Sequence, residues 1–284
     1  WHPPRGMPPT WTTLLGRRAA MTRTSLSQRS TTGPPGWDHD GQAMGSDPQR
    51  ATTVMLVLLT LLTGAVWAFA EISDEVLEGD TQGLDRRILL ALRNPDDLAD
   101  PIGPSWVEEM GRDLTALGGV AILTLVTVAA AGFEWMSGRR ATALLILLAV
   151  VGALLLSQGL KSLFDRPRPE LVPHGSYVYT KSFPSGHSML SAAVYLTVAG
   201  LVARTLRARW ARVYIFATAM LLTLLVGASR VYLGVHWPTD VLAGWCGGAA
   251  WALVCMLIAQ RLLRSRDASR CRSPSNPGSF SGGA

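Results

Sequence analysis

Three short stretches carry side chains that an apolar chain does not need in order to fold. "KSLFDRPRP" (161–169) supplies Lys161 and Arg168, "SFPSGHSML" (182–190) supplies Ser185, Gly186 and His187, and "SRVYLGVHWPTD" (229–240) supplies Arg230, His236 and Asp240. Lys161, Arg168 and Arg230 are cationic donors, and the two arginines suit forked binding of phosphate oxygens. Gly186 lets a backbone come close to an anion. Ser185 and Gly186 precede a long apolar run, where free amides and the helix dipole favour negative charge, so this turn reads as half of an anion cradle. His236 and Asp240 are four residues apart, with Pro238 between them. A regular helix across all of them is therefore not assumed. Asp240 can still cap the element it opens and hold one ring nitrogen of His236, which fixes the tautomer and aims the other nitrogen outward. An imidazole held in this way can attack phosphorus. His187 can serve as acid for the leaving oxygen and then as base for water.

The elements that must position these groups are long and apolar. The chain of 284 residues is 48% hydrophobic and only 16% charged, a balance suited to a multi-pass membrane protein. A span needs about 20 apolar residues, and six stretches approach this: 51–70, 115–136, 141–161, 188–204, 213–231 and 240–260. The expected fold is all-α, an integral membrane bundle of six helices. The net charge of +6 does not read as a nucleic-acid footprint, because the arginines cluster before span one and after spans two, four and six. Positive-inside bias then puts both termini in the cytoplasm. All three reactive stretches fall at the opposite, extracytoplasmic face. The first stretch runs against the charge bias there, and ionisable groups at membrane depth point to function.

Residues 1–50 are rich in Pro, Gly, Ser, Thr and Arg and are expected to be a disordered extension. The chain opens on Trp1, with Met21 and Met44 as alternative starts, so this extension need not be translated or retained. Residues 51–262 form the expected membrane domain, with an outer loop at 71–114, and 263–284 a disordered cytoplasmic tail. Ala68 and Ala70 resemble a signal-peptidase site, but the run before them is long for a signal peptide, which favours a retained anchor. "LDRRILLALR" (84–93) has the pattern of an amphipathic helix lying on a membrane surface. Arg166 is expected to pair with Asp165, and Ser229 to support the site or pack. His174 is expected in a loop, and Tyr177 and Tyr179 at the interface. Trp67, Trp135 and Trp210 suit an aromatic belt. Trp237 suits either a shield for His236 or an interfacial anchor. Trp245 and Gly247-Gly248 suit close helix packing. The three cysteines give no zinc or redox spacing, and three cations around the histidines oppose a metal, so no metal or cofactor is expected.

Lys161-x6-Arg168-Pro169, Pro184-Ser185-Gly186-His187 and Ser229-Arg230-x5-His236-x3-Asp240 together resemble the three signature motifs of the type 2 phosphatidic acid phosphatase superfamily. That group also includes soluble bacterial acid phosphatases and vanadium haloperoxidases. The resemblance implies a metal-independent phosphatase acting through a phosphohistidine on His236. Asp240 would orient that ring, and His187 would protonate the leaving group. Lys161, Arg168, Arg230, Ser185 and Gly186 would hold the phosphoryl oxygens. The implied enzyme is a lipid phosphatase in a bacterial inner membrane. Its expected partners are membrane lipids and a lipid phosphate substrate, such as phosphatidate, lysophosphatidate, phosphatidylglycerophosphate or undecaprenyl diphosphate. A lipid phosphotransferase using the same intermediate, and a non-catalytic protein that binds lipid phosphates, are the alternative readings. The intact His187, His236 and Asp240 weigh against the latter.

Overall fold

The computed structural model describes residues 48–170 and 181–272. The expected extension before residue 48, His174, Tyr177 and Tyr179, and the tail beyond residue 272 lie outside the described residues. The chain forms α1 (Pro48–Glu78), α2 (Gln82–Ala91), an antiparallel pair β1 (Arg93–Asn94) and β2 (Asp97–Pro101), α3 (Ser105–Ala116), α4 (Val120–Met136), α5 (Arg140–Leu163), α6 (Gly186–Ala203), α7 (Arg209–Tyr232) and α8 (Pro238–Arg272). Among the described residues, α1, α5, α6, α7 and α8 are long and apolar enough to cross a membrane. A sixth crossing exists if α3 and α4, bent by 49° at a short break, count as one span. Apart from the small hairpin the fold is the expected all-α bundle.

The bend explains why the second span is not the straight run 115–136. A Cβ on Gly118 would lie 2.4 Å from Val226 Cγ1 and 3.3 Å from His187 Cβ. Only a glycine lets the chain pass this close to α7 and α6. The turn also leaves Thr115 beside Arg230, whose Nη1 donates to the threonine hydroxyl at 3.0 Å.

Helix α6 occupies the middle of the bundle. Of its apolar window 61% is buried, against 0% for α1. Small residues make this possible, because without a hydrophobic drive between helices in lipid, association rests on close packing. A Cβ on Gly248 would lie 2.3 Å from the Met189 carbonyl, and one on Gly244 would lie 2.8 Å from that of Ser185. Helix α8 thus rests its backbone on that of α6. Trp245 occupies the space over Gly227 and donates Nε1 to the Thr223 carbonyl at 3.0 Å. Trp251 does the same over Gly152, donating to the Ala149 carbonyl at 2.8 Å. The outward faces of α1, α4, α5 and α7 expose Leu56, Leu125, Leu148, Leu155 and Val213, the exterior that hydrocarbon requires.

The region expected as an outer loop is structured over one end of the bundle. Helix α2 does form, but Asp85 and Leu89 are buried against protein, so it is docked rather than simply laid on lipid. Arg93 is buried and donates to the Tyr232 carbonyl at 2.7 Å, while the Tyr232 hydroxyl donates to the Ile102 carbonyl at 2.9 Å. These bonds tie the hairpin to the end of α7. Helix α8 runs beyond the expected boundary at 262, to Arg272.

Candidate active site

Lys161 sits in the last turn of α5, Ser185 at the N-cap of α6, Arg230 in the last turn of α7, and Asp240 in the first turn of α8. The helices alternate in direction, so these positions collect at one end of the bundle. Direct bonds close the ring: the Ser185 amide donates to the Asp240 carbonyl at 2.9 Å, and Arg168 Nη1 donates to the Val235 carbonyl at 2.7 Å.

Pro238 does not disrupt the pairing of His236 with Asp240. It is the first residue of α8, where the missing N–H has no intrahelical partner to lose. Asp240 then stands three residues past Trp237 and accepts from its amide at 3.0 Å, half of a capping box. The same Oδ2 lies 3.4 Å from His236 Nδ1, a long hydrogen bond by distance. The Ser182 hydroxyl also donates to Oδ2. His236 is 1% exposed and Asp240 0%. With Nδ1 turned to the carboxylate, Nε2 is left as the acceptor, 3.3 Å from Arg168 Nη1. A phosphoryl group at Nε2 is therefore within reach of Arg168. Burial pushes the His236 ring down to about 4, although hydrogen bonding and charge from Asp240 oppose the shift. A ring held this low favours its neutral form at neutral pH, the form that can act as a nucleophile. Burial also lowers Arg168 from its ordinary value.

Lys161 Nζ lies 3.2 Å from the point where a Cβ on Gly186 would sit. This glycine leaves room for the ammonium at the N-terminus of α6. Arg230 is 4% exposed, and its Nε is buried without a partner among the described residues. A buried donor of this kind asks for an acceptor. The cations Arg230, Lys161 and Arg168 all lie close enough to act on His187, which stands one residue into α6 beside His236. All eight residues singled out by their spacing thus belong to one neighbourhood. Among the described residues, no three His, Cys, Asp or Glu side chains gather as metal ligands would.

Sequence reasoning missed four participants. Arg166 pairs with Asp85 at 2.7 Å and Asp240 at 2.6 Å, not with Asp165, which pairs with Lys181 at 3.1 Å. Thr239 and Ser182 join the same network. The amphipathic pattern around Asp85 pointed to a helix but not to its partner, 81 residues away. Trp237 donates Nε1 to the Pro167 carbonyl at 3.1 Å, and its ring lies under the Arg166 guanidinium at 5.7 Å. It braces the 164–170 segment. Ser229 donates to the Val226 carbonyl at 2.7 Å within its own helix, so it packs rather than facing the cradle. A cavity of about 610 Å³ adjoins the site, bordered by Val76, Leu77, Arg86, Phe164, Arg168 and Trp237. Its mixture of apolar and cationic walls suits an amphiphile.

A family model described as the PAP2 superfamily matches residues 142–264. Phosphatidylglycerophosphatase B of Bacillus subtilis is 39% identical over 150 residues, covering 50% of this chain and 70% of that protein. Lipid A 1-phosphatase of Rhizobium etli is 29% identical over 188 residues, covering 57% of this chain and 77% of that protein. Among solved structures, a transmembrane PAP2-type phosphatidylglycerolphosphate phosphatase from Bacillus subtilis superposes with a TM-score of 0.57 at 27% identity, over 74% of this chain and 96% of that one. With its bundle of apolar helices and its motifs gathered at one end, the chain belongs to the PAP2 superfamily, among that family's membrane phosphatases.

Proposed function

We propose that the chain hydrolyses lipid phosphate monoesters or diphosphates through a phosphohistidine on His236. In the first step Nε2 attacks phosphorus, the bond from phosphorus to the leaving oxygen breaks, and His187 gives that oxygen a proton. In the second, His187 takes a proton from water, the water oxygen attacks phosphorus, and the bond to Nε2 breaks, releasing inorganic phosphate. Lys161, Arg168 and Arg230, with Ser185 and Gly186 at the α6 N-terminus, hold the phosphoryl oxygens. Fixed cations at the developing charge stabilise phosphoryl transfer without reorganising. The observation that carries this reading is the Nε of Arg230, buried without a partner among the described residues, at the same end of the bundle as the buried His236–Asp240 pair.

Phosphatidylglycerophosphate is the first substrate to test, because two of the similar proteins are named for it. Undecaprenyl diphosphate and phosphatidate follow. The charge bias of the arginine clusters supports a bacterial inner-membrane enzyme with cytoplasmic termini and an extracytoplasmic site. Residues 51–262 are proposed as the catalytic unit. The test is phosphate release from a panel of lipid phosphates in EDTA, with wild type and His236→Ala. Activity that survives EDTA and vanishes in the variant supports the reading. Activity lost to EDTA, or retained by the variant, overturns it. A reporter fused near residue 175 is expected to behave as extracytoplasmic.

A further inference from the structure

We propose that Asp85 and Arg166 are positioning residues of the reaction, forming a clamp that holds Asp240 in place against His236 and sets the charge it presents. The inference rests on the reading of His236 as nucleophile. One planar guanidinium bridges two carboxylates: Arg166 Nη1 reaches Asp240 Oδ1 at 2.6 Å, and Nη2 reaches Asp85 Oδ2 at 2.7 Å. The fork permits both bonds in one plane, which a lysine cannot reproduce. Thr239 stitches the pair together. Its hydroxyl donates to Asp85 Oδ2 at 2.6 Å and accepts from Arg166 at 2.8 Å, and its amide donates to Asp85 Oδ1 at 3.0 Å. Thr81 accepts from Nη2 at 3.3 Å. Asp85 and Asp240 are both 0% exposed.

A staple that served only the fold would pair one carboxylate with one cation, since each buried charge costs desolvation. Here two carboxylates share one guanidinium, and the surplus negative charge lies on the side of His236. The charged groups acting on that ring are Asp240 from α8, Arg168 from the 164–170 segment and Arg230 from α7. His187 from α6 lies close by and feels Lys161 from α5 as well. Asp240 is the only carboxylate acting on the ring in that set. Attack through Nε2 makes the imidazole cationic, so the reaction depends on how much of the Asp240 charge remains uncommitted. Asp85 takes up half of the Arg166 fork and thereby preserves it. The clamp also explains why α2, from a segment far upstream, is docked at this end of the bundle.

The test compares Asp85→Asn and Arg166→Lys with wild type in detergent micelles, reading kcat, KM and the acid limb of kcat/KM. In Asp85→Asn the arginine charge falls wholly on Asp240. The expected result is a fall in kcat of about 10- to 100-fold, the effect of weakening one charge-assisted hydrogen bond. KM is expected to stay within about twofold, since the phosphate-holding cations are untouched. The acid limb is expected to move to lower pH, because the imidazolium has lost negative charge nearby. Arg166→Lys keeps the charge count and loses the fork, so kcat falls while the limb stays in place. Folded Asp85→Asn enzyme with unchanged kcat and limb overturns the clamp. So does a loss of activity that matches the loss of folded protein, with kcat per folded molecule preserved. If Asp85→Asn does not fold, unchanged kcat in Arg166→Lys overturns it equally. Retained activity in His236→Ala would instead remove the nucleophile reading, which separates the two failures.

Discussion

Both ends of the helical bundle carry exposed arginines, but among the described residues only one of them also buries arginines. At one end Arg204, Arg207, Arg209 and Arg212 are exposed around the turn from α6 to α7. Arg140 rests over the exposed ring of Trp135 at 5.3 Å, a placement open to any long cationic side chain near an interface. At the other end Arg230 and Arg93 are each 4% exposed, and the Arg166 side chain is 11% exposed between two fully buried carboxylates. Solvated charge costs little and sets orientation in the membrane. Buried charge is expensive and is weak evidence for stability. At the second end Arg93 ties the hairpin to α7, while the burial of Arg166 and Arg230 fits the catalytic role proposed for that end. At the first end buried Glu134 is met by Arg139 Nε at 2.5 Å in a one-to-one pair, the arrangement that a purely structural ion pair needs.

The sharpest way to break this contrast is to remove charge from each end in turn. His236→Ala and Asp240→Asn are expected to reduce phosphate release to background. The double change Arg207→Ala with Arg209→Ala is expected to leave kcat/KM of reconstituted enzyme within about twofold of wild type, since exposed charges of this kind contribute little. His187→Ala is expected to lower kcat by about 10²- to 10⁴-fold, the usual contribution of a general acid and base. Arg230→Ala is expected to lower it by about 10²- to 10³-fold, as removal of one fixed donor from a developing charge does. Single-turnover measurements of phosphoenzyme separate these two, because the proposed mechanism also uses His187 in the second step.

Proton linkage distinguishes the ends further. His236 titrates at about 4 in the fold against an ordinary 6.5. The unfolded chain thus binds the extra proton first as pH falls. Stability from this group is complete above about 6.5 and is lost as pH drops towards 4. The acid limb of kcat/KM is expected near pH 4, and a limb near 6.5 would show that burial does not control the nucleophile. The smallest expected effect concerns packing alone. Gly248→Ala drives a methyl into the α6 backbone and is expected to cost about 1–3 kcal/mol. Gly132→Ala, with nothing within 4 Å of its Cβ, is expected to leave thermal stability unchanged or slightly raised.

The residues that gather at one end of the bundle could be singled out in the sequence because phosphoryl chemistry restricts the types that suit it. Cations, a glycine at a helix start and a histidine four residues from a carboxylate can be recognised wherever they lie along the chain. The long apolar helices were legible because hydrocarbon thickness sets their length. Arg166 was not legible, since its neighbour Asp165 offered a local partner of the right charge while Asp85 lay in a segment with only an amphipathic pattern to mark it. The bend in the second span was hidden for a similar reason. Gly118 and Gly119 tolerate a straight helix poorly, yet the need to turn came from Val226 and His187, which are distant in sequence.

Residue type and period by themselves determined that the chain is a bundle of apolar helices and which groups were candidates to meet a phosphate, because both properties belong to short stretches. Tertiary structure alone decided that one guanidinium divides its fork between Asp85 and Asp240, that Arg230 buries a donor with no acceptor among the described residues, and that α6 rather than α1 fills the centre. Those outcomes depend on which helix faces touch. Contact between faces is settled by close approach at glycines such as Gly244 and Gly248, where the fit of two backbones enters no local pattern.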